Sequence, residues 1–144
     1  FCSNRSELEN RWLALRKKLL DSLEDVEHCF VLGTPDESLP NTLNLGFQGI
    51  SAESLLICLD LDGIAVSSGS ACSSGAMEAS HVLLAMGYSH EQAKSSLRIS
   101  MGWNTSEEDI EELSRQLIHH VKRLTPISGK SDSNIQIPEP VTEI

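Results

Sequence analysis

Apolar residues recur every three or four positions near the start of the chain and predict an amphipathic helix over residues 6–24. The stripe consists of Leu8, Trp12, Leu15, Leu19 and Leu23. The basic residues of the segment lie outside this stripe, at Arg11, Arg16, Lys17 and Lys18. We expect the helix to pack on a sheet through its apolar side.

Alternating or short apolar runs predict four strands, at residues 28–32, 41–47, 64–66 and 97–101. In the last of them Leu97, Ile99 and Met101 would share one face, and Arg98 would point to the other. Such alternation is typical of strands that are buried on one side only.

Three short helices follow from capping signals. Ser51 is a plausible N-cap for a helix over 52–60, and Gly63 suits the left-handed position after its end. A helix over 80–86 would end at Gly87. Ser89 followed three residues later by Gln92 predicts a capping box for a helix over 90–95.

The strongest helical pattern lies between Thr105 and Pro126. Thr105 and Glu108 predict a capping box, and acidic residues crowd the first turn. The expected buried stripe is Ile110, Leu113, Leu117, Val121 and Leu124. The adjacent pair His119 and His120 is expected on the outer, solvated part of this helix.

The order of elements predicts an α+β fold, with helices packed on one side of a small, mostly antiparallel sheet. We divide the chain into a helical segment at 1–25, a domain at 26–125 and a flexible tail at 126–144, which is rich in Ser, Pro and charged residues.

Composition narrows the class of protein. The 144 residues suffice for one domain with its own core, and 40% of them are hydrophobic. The net charge of −10 argues against nucleic acid or an anionic membrane as a partner. No apolar run approaches the length of a membrane span. The first residue is Phe, so we expect a fragment or a processed chain.

The four cysteines, at 2, 29, 58 and 72, form neither a disulfide scaffold nor a Cys-x-x-Cys clip. Cys29 and Cys58 lie among large apolar residues and are expected to be small buried hydrophobes. A reducing, cytoplasm-like compartment fits this pattern. Only Cys72 has surroundings that suggest chemistry.

Cys72 lies in a loop at 67–75 that has no large apolar side chain. The loop holds five serines, two glycines, one alanine and the thiol, including Gly69, Ser70, Ala71 and Gly75. Glycine and serine make such a segment easy to move. A reactive thiol that must travel explains this composition better than a structural or incidental cysteine. A phosphate cradle is a weaker alternative, because no Gly-Lys-Ser/Thr follows.

Two further residues are candidates for a site. Arg98 would suit a substrate carboxylate through two parallel hydrogen bonds, and the alternative is an arginine that faces solvent or pairs with an acid. His81 follows the loop and is kept as a possible neighbour of Cys72, although a core or surface role is the commoner one. The histidines and cysteines show no metal-ligand spacing, so no metal site of the chain's own is expected.

Three ordered segments resemble the cysteine desulfurases. The segment from Ser67 to Leu83 is similar to their active-site cysteine segment, the segment from Ser95 to Ile110 to the block that follows, and the segment from Leu39 to Asn44 to an earlier block. The long Ser-Gly-Ser-Ala-Cys loop resembles the iron–sulfur and nitrogen-fixation branch. The resemblance implies the small C-terminal domain of a fold-type I, class V aminotransferase-like enzyme, with 1–25 as its interdomain helix.

The resemblance implies a homodimeric, pyridoxal-phosphate-dependent enzyme that converts L-cysteine to L-alanine. By that resemblance Cys72 is the nucleophile and carries the sulfur as a persulfide to an acceptor protein, such as an iron–sulfur scaffold with which it could share a cluster. Arg98 matches the arginine that holds the substrate carboxylate, and Asn44 is a further candidate for substrate binding. The implied compartment is the cytoplasm, or a plastid or organelle stroma.

No segment matches the lysine that binds pyridoxal phosphate in this family. Lys94 and Lys130 have the wrong surroundings, so we expect the cofactor to be held by a large domain outside this chain, and this chain alone to be inactive. Two alternatives stay open: a selenocysteine lyase or related carbon–sulfur lyase, and a free-standing sulfur-relay or docking module.

Overall fold

A computed structural model describes residues 2–34, 37–68 and 78–125. Five helices and four strands follow one another in this part of the chain: α1 (Cys2–Leu23), β1 (Cys29–Leu32), β2 (Thr42–Phe47), α2 (Ala52–Leu61), β3 (Ser67–Ser68), α3 (His81–Ala85), α4 (His90–Lys94), β4 (Ser96–Ser100) and α5 (Glu107–Leu124). No helix in the described ranges combines the length and the apolar character that crossing a membrane requires.

The four strands form one antiparallel sheet in the order β1-β2-β4-β3. The central pair, β2 and β4, is aligned so that Leu43 lies opposite Ile99 and Leu45 opposite Leu97. The predicted α+β class with a mostly antiparallel sheet is confirmed. Strands β1 and β3 form the two edges.

One face of the sheet carries the main core. Leu43, Leu45, Leu97 and Ile99 are buried there against α1, α2 and α5. Each helix contributes an apolar stripe to the same cluster, through Leu15, Leu19 and Leu23 of α1, Leu55 and Leu59 of α2, and Ile110, Leu113, Leu117 and Val121 of α5. The stripe predicted for α5 therefore lies in this core, as does the stripe predicted for α1 except for Leu8, which is not part of the cluster.

The opposite face is covered only in part, by the two short helices. Leu32 of β1, Leu83 of α3 and Ala93 of α4 form a second small cluster, and Phe30 packs against it. A Cβ atom at Gly46, the cross-strand neighbour of Phe30, would lie 2.2 Å from the ring. The three long helices thus lie on one side of the sheet as predicted, and α3 and α4 add a thin layer on the other.

Two element boundaries were predicted wrongly. Residues 64–66 form no strand, and the strand that pairs with β4 is the short β3. The N-cap of α5 is Ser106, which forms a capping box with Asp109 rather than Thr105 with Glu108. The hydroxyl of Thr105 instead accepts a hydrogen bond from the amide of Gly102, which leaves the cap to the next residue.

The prediction that His120 is solvated was wrong. Its ring is 5% exposed, and Nε2 lies 2.5 Å from Oδ2 of Asp62, the residue that caps the end of α2. His119 is exposed, as expected. Arg16, outside the apolar stripe of α1, is also buried and donates a hydrogen bond to the carbonyl of Leu39.

Candidate substrate-binding cleft

A single row of side chains crosses the partly covered face of the sheet. In the strand register Leu32 lies opposite Asn44, Asn44 opposite Arg98, and Arg98 opposite Ser67. Cross-strand partners point to the same side of a sheet and have Cβ atoms about 5 Å apart. Since Leu97 and Ile99 are buried on the other face, the alternation predicted for β4 directs Arg98 into this row.

Asn44 and Arg98 line a cleft of about 380 Å³ between the sheet, α3 and the turn that follows β1. One wall is formed by Val82, Leu83 and Met86 of α3. The turn contributes Gly33, Thr34, Glu37 and Ser38 to the lining of the cleft. The floor therefore offers hydrogen-bond donors, whereas the α3 wall is apolar.

The hydrogen-bond donors at the floor of the cleft have no side-chain partner in the described part of the chain. Within the described ranges, neither the guanidinium of Arg98 nor the side-chain amide of Asn44 forms a hydrogen bond or ion pair with another side chain. Arg98 is exposed and Asn44 is half-buried. Two neighbouring donors, one of them a permanent cation, are suited to a carboxylate.

The segment predicted to carry the nucleophile starts beside Arg98. Ser67 pairs with Arg98, and the chain is described up to Ser68 and again from Glu78. Cys72 and its loop neighbours Gly69, Ser70, Ala71 and Gly75 lie outside the described residues, as does the tail at 126–144. The site roles assigned to these residues therefore stay predictions.

Cys29, Cys58 and His81 do not line the cleft. Cys29 and Cys58 are half-buried and free, and burial raises the pKa of the Cys29 thiol to about 11. Cys58 accepts a hydrogen bond from Arg123. His81 is exposed on the first residue of α3, and Ser80 before it caps that helix.

Sequence reasoning missed the residues that complete the cleft. Glu37 and Ser38 lie in a turn, where no periodicity marks a functional side chain. Tyr88 supports the same turn, because its hydroxyl oxygen accepts a hydrogen bond from the amide of Gly33. Only the tertiary structure brings these residues next to Arg98.

The cleft has no lysine among its described lining residues. The lysines of the described ranges are Lys17, Lys18, Lys94 and Lys122, and none of them lines the cleft. In the same ranges no group of three His, Cys, Asp or Glu residues is arranged to hold a metal ion.

Residues 4–113 match the family model described as aminotransferase class-V. The chain belongs to the aminotransferase class-V family. Enzymes of this family depend on pyridoxal phosphate. None of the described lysines lines the cleft, and the location of the lysine that binds the cofactor stays a prediction.

Curated relatives of this class-V chain are cysteine desulfurases. It is 41% identical over 128 residues to the cysteine desulfurase NifS of Azotobacter vinelandii, and 37% identical over 122 residues to the cysteine desulfurase IscS 1 of Archaeoglobus fulgidus. These alignments cover 88% and 85% of the chain and 32% of each relative. The chain thus spans about a third of the length of these relatives.

Solved structures of class-V proteins have the same fold. A NifS-like protein from Rickettsia africae superposes with a TM-score of 0.71 at 30% identity, over 84% of this chain and 31% of the other. A second NifS-like protein gives a TM-score of 0.70 at 28% identity, over 83% of this chain and 29% of the other. The predicted resemblance to cysteine desulfurases, as a partial fold-type I domain, is confirmed.

Proposed function

We propose that this chain is the small C-terminal domain of a cysteine desulfurase that converts L-cysteine to L-alanine and passes the sulfur on through Cys72. The observation that carries the proposal is the pairing of Arg98 with both Asn44 and Ser67 in one row of the sheet. In this row the hydrogen-bond donors of Arg98 and Asn44, which have no described side-chain partner, lie next to the segment that leads to Cys72. The relatives named cysteine desulfurases support the same reaction.

Arg98 would hold the carboxylate of L-cysteine, and the amide of Asn44 would donate a further hydrogen bond to it. A guanidinium that binds a carboxylate in two parallel hydrogen bonds fixes its orientation as well as its position. The half-buried Asn44 and the apolar α3 wall exclude part of the surrounding water, which strengthens these charge-assisted hydrogen bonds.

Covalent connectivity keeps Cys72 near this row. Three residues lie between Ser68 and Cys72, so four Cα–Cα steps limit the distance of the Cys72 Cα from the end of β3 to about 14 Å. In the net reaction the Cys72 thiol gains the substrate sulfur as a persulfide, and the Cβ–S bond of L-cysteine is replaced by a Cβ–H bond in L-alanine. Atoms and electrons balance without a further oxidant or reductant.

Pyridoxal phosphate supplies the electron-accepting ring that this class of reaction requires. Because no described lysine faces the cleft, we propose that a large domain holds the cofactor and that this chain alone is inactive. We further propose a homodimer, an iron–sulfur scaffold or other sulfur acceptor as partner, and a cytoplasmic or organelle-stromal location.

The test uses the full-length parent protein with its cofactor. After addition of L-cysteine, peptide mass analysis should find one extra sulfur on Cys72, with L-alanine released. Cys72→Ala should abolish the persulfide and leave the fold intact, with Cys58→Ala as a matched control that keeps both. Sulfur on a different cysteine would contradict the assignment of the nucleophile.

The same measurement separates the alternatives. Alanine formed without sulfur on Cys72 would indicate a selenocysteine lyase or another carbon–sulfur lyase. Formation of neither product would overturn the desulfurase and favour a sulfur-relay or docking module that accepts persulfide from another protein.

A further inference from the structure

The cleft contains a second charged group, which the proposed reaction does not use. Glu37 lines it from the turn after β1. The turn is closed by two hydrogen bonds to the carbonyl of Thr34, one from the amide of Glu37 at 3.1 Å and one from the hydroxyl of Ser38 at 2.8 Å. The backbone of Glu37 is therefore held at the edge of the cleft.

Glu37 does not neutralise Arg98. In the described part of the chain no ion pair joins the two side chains, although both line the same cleft. The remaining wall, formed by Val82, Leu83 and Met86, carries no charge. The described lining of the cleft thus contains one cation, one anion and the apolar side chains of α3.

We propose that Glu37 is a specificity-determining residue that disfavours substrates with a second negative charge. The proposal rests on the proposed function, in which Arg98 takes the carboxylate of an amino acid. Once Arg98 is occupied, a further carboxylate or sulfinate on the ligand meets the like charge of Glu37 and has no described cation in the cleft to pair with. L-cysteine, whose side chain is neutral, avoids this repulsion.

The effect is bounded by the exposure of Glu37, because solvent and salt screen exposed charges. Two unit charges several ångströms apart at a protein surface interact by roughly 1 kcal/mol, which corresponds to a preference of about fivefold. The contribution should therefore be a modest preference that weakens as the ionic strength rises.

The experiment compares two unreactive probes, propionate with one carboxylate and succinate with two, in the full-length parent protein. Their dissociation constants are measured by calorimetry at low and high salt, for the wild type and for Glu37→Gln. Glu108→Gln is the matched control, since Glu108 is exposed in the first turn of α5, which packs on the other face of the sheet. Glu37→Asp keeps the charge.

We expect Glu37→Gln to shift the ratio of the two dissociation constants about threefold to fivefold in favour of succinate at low salt, with little shift at high salt. The two control variants should keep the wild-type ratio. An unchanged ratio in Glu37→Gln, or the same shift in Glu108→Gln, overturns the proposal. Because the readout is binding without turnover, it is independent of whether the wild type releases alanine from L-cysteine.

Discussion

The same strands contribute to the hydrophobic core on one face of the sheet and to the cleft on the other. Toward α1, α2 and α5, residues such as Leu45 and Leu97 are completely buried and hold the fold together. One position along each strand, Asn44 and Arg98 point the other way into an open cleft and have no described side-chain partner. Because successive side chains of a strand point to opposite faces of the sheet, residues that form the core and residues that line the cleft are neighbours in the same strand.

Truncation on the core face should have the largest effect on stability. Leu97→Ala removes a side chain with no exposed surface and leaves a cavity among the long helices. We expect a loss of about 2–5 kcal/mol in the free energy of unfolding. Urea denaturation measures this change in the free energy of unfolding. A loss below about 1 kcal/mol would show that packing on this face is not the main source of stability.

Truncation of Arg98, the residue after Leu97, should affect the binding of L-cysteine instead. Arg98→Ala should raise the KM for L-cysteine in the full-length enzyme by about 10- to 100-fold, since a hydrogen bond to a charged group is worth about 1.5–3 kcal/mol. Stability should change by about 0.5 kcal/mol or less, because the side chain is exposed. Arg98→Lys keeps the charge but loses the two parallel hydrogen bonds, so an intermediate KM is expected. An unchanged KM would remove Arg98 from the site.

Gly46 tests a close contact on the face of the sheet that α3 and α4 partly cover. Gly46→Ala brings a methyl group against the ring of Phe30 and should cost about 1–3 kcal/mol in unfolding free energy. Adding Phe30→Leu should restore part of this loss, because the smaller side chain makes room. If the two changes are instead additive, the contact between them is not the cause.

The last test uses the protein without substitutions and measures the pH dependence of cysteine alkylation. Burial raises the pKa of the Cys29 thiol to about 11, so little thiolate exists at neutral pH. Its alkylation rate in the folded protein should rise about tenfold per pH unit from pH 8 and level off near pH 11. Peptide mass analysis after timed alkylation measures it, and a plateau near pH 9 would contradict the burial effect.

The sequence was sufficient to predict elements that are defined by the hydrophobic period or the capping residues of their own segment. The alternation in β2 and β4, the stripe of α5 and the capping box from Ser89 to Gln92 could all be predicted because each follows from the period of its own segment. The alternation in β4 also predicted that Arg98 points away from Leu97 and Ile99, but not that Glu37 would line the same cleft.

Two of the failures depend on a partner that is distant in sequence. His120 is buried since Asp62, 58 residues away, accepts its hydrogen bond, and Arg16 is buried since it reaches the carbonyl of Leu39. The cap of α5 lies at Ser106 for a local reason, because the hydroxyl of Thr105 accepts a hydrogen bond from the amide of Gly102, three residues earlier. Helical periodicity contains no information about such partners.

The contact between α1 and the turn after β4 gives the protein a built-in optical reporter. The indole Nε1 of Trp12 donates a hydrogen bond to the carbonyl of Gly102, and Arg11 binds the carbonyls of Trp103 and Thr105. Trp12 is half-buried, whereas Trp103 is 76% exposed. The chain's two tryptophans should therefore emit at different wavelengths. Release of α1 would shift only the bluer emission, so fluorescence can distinguish undocking of this helix from unfolding of the sheet.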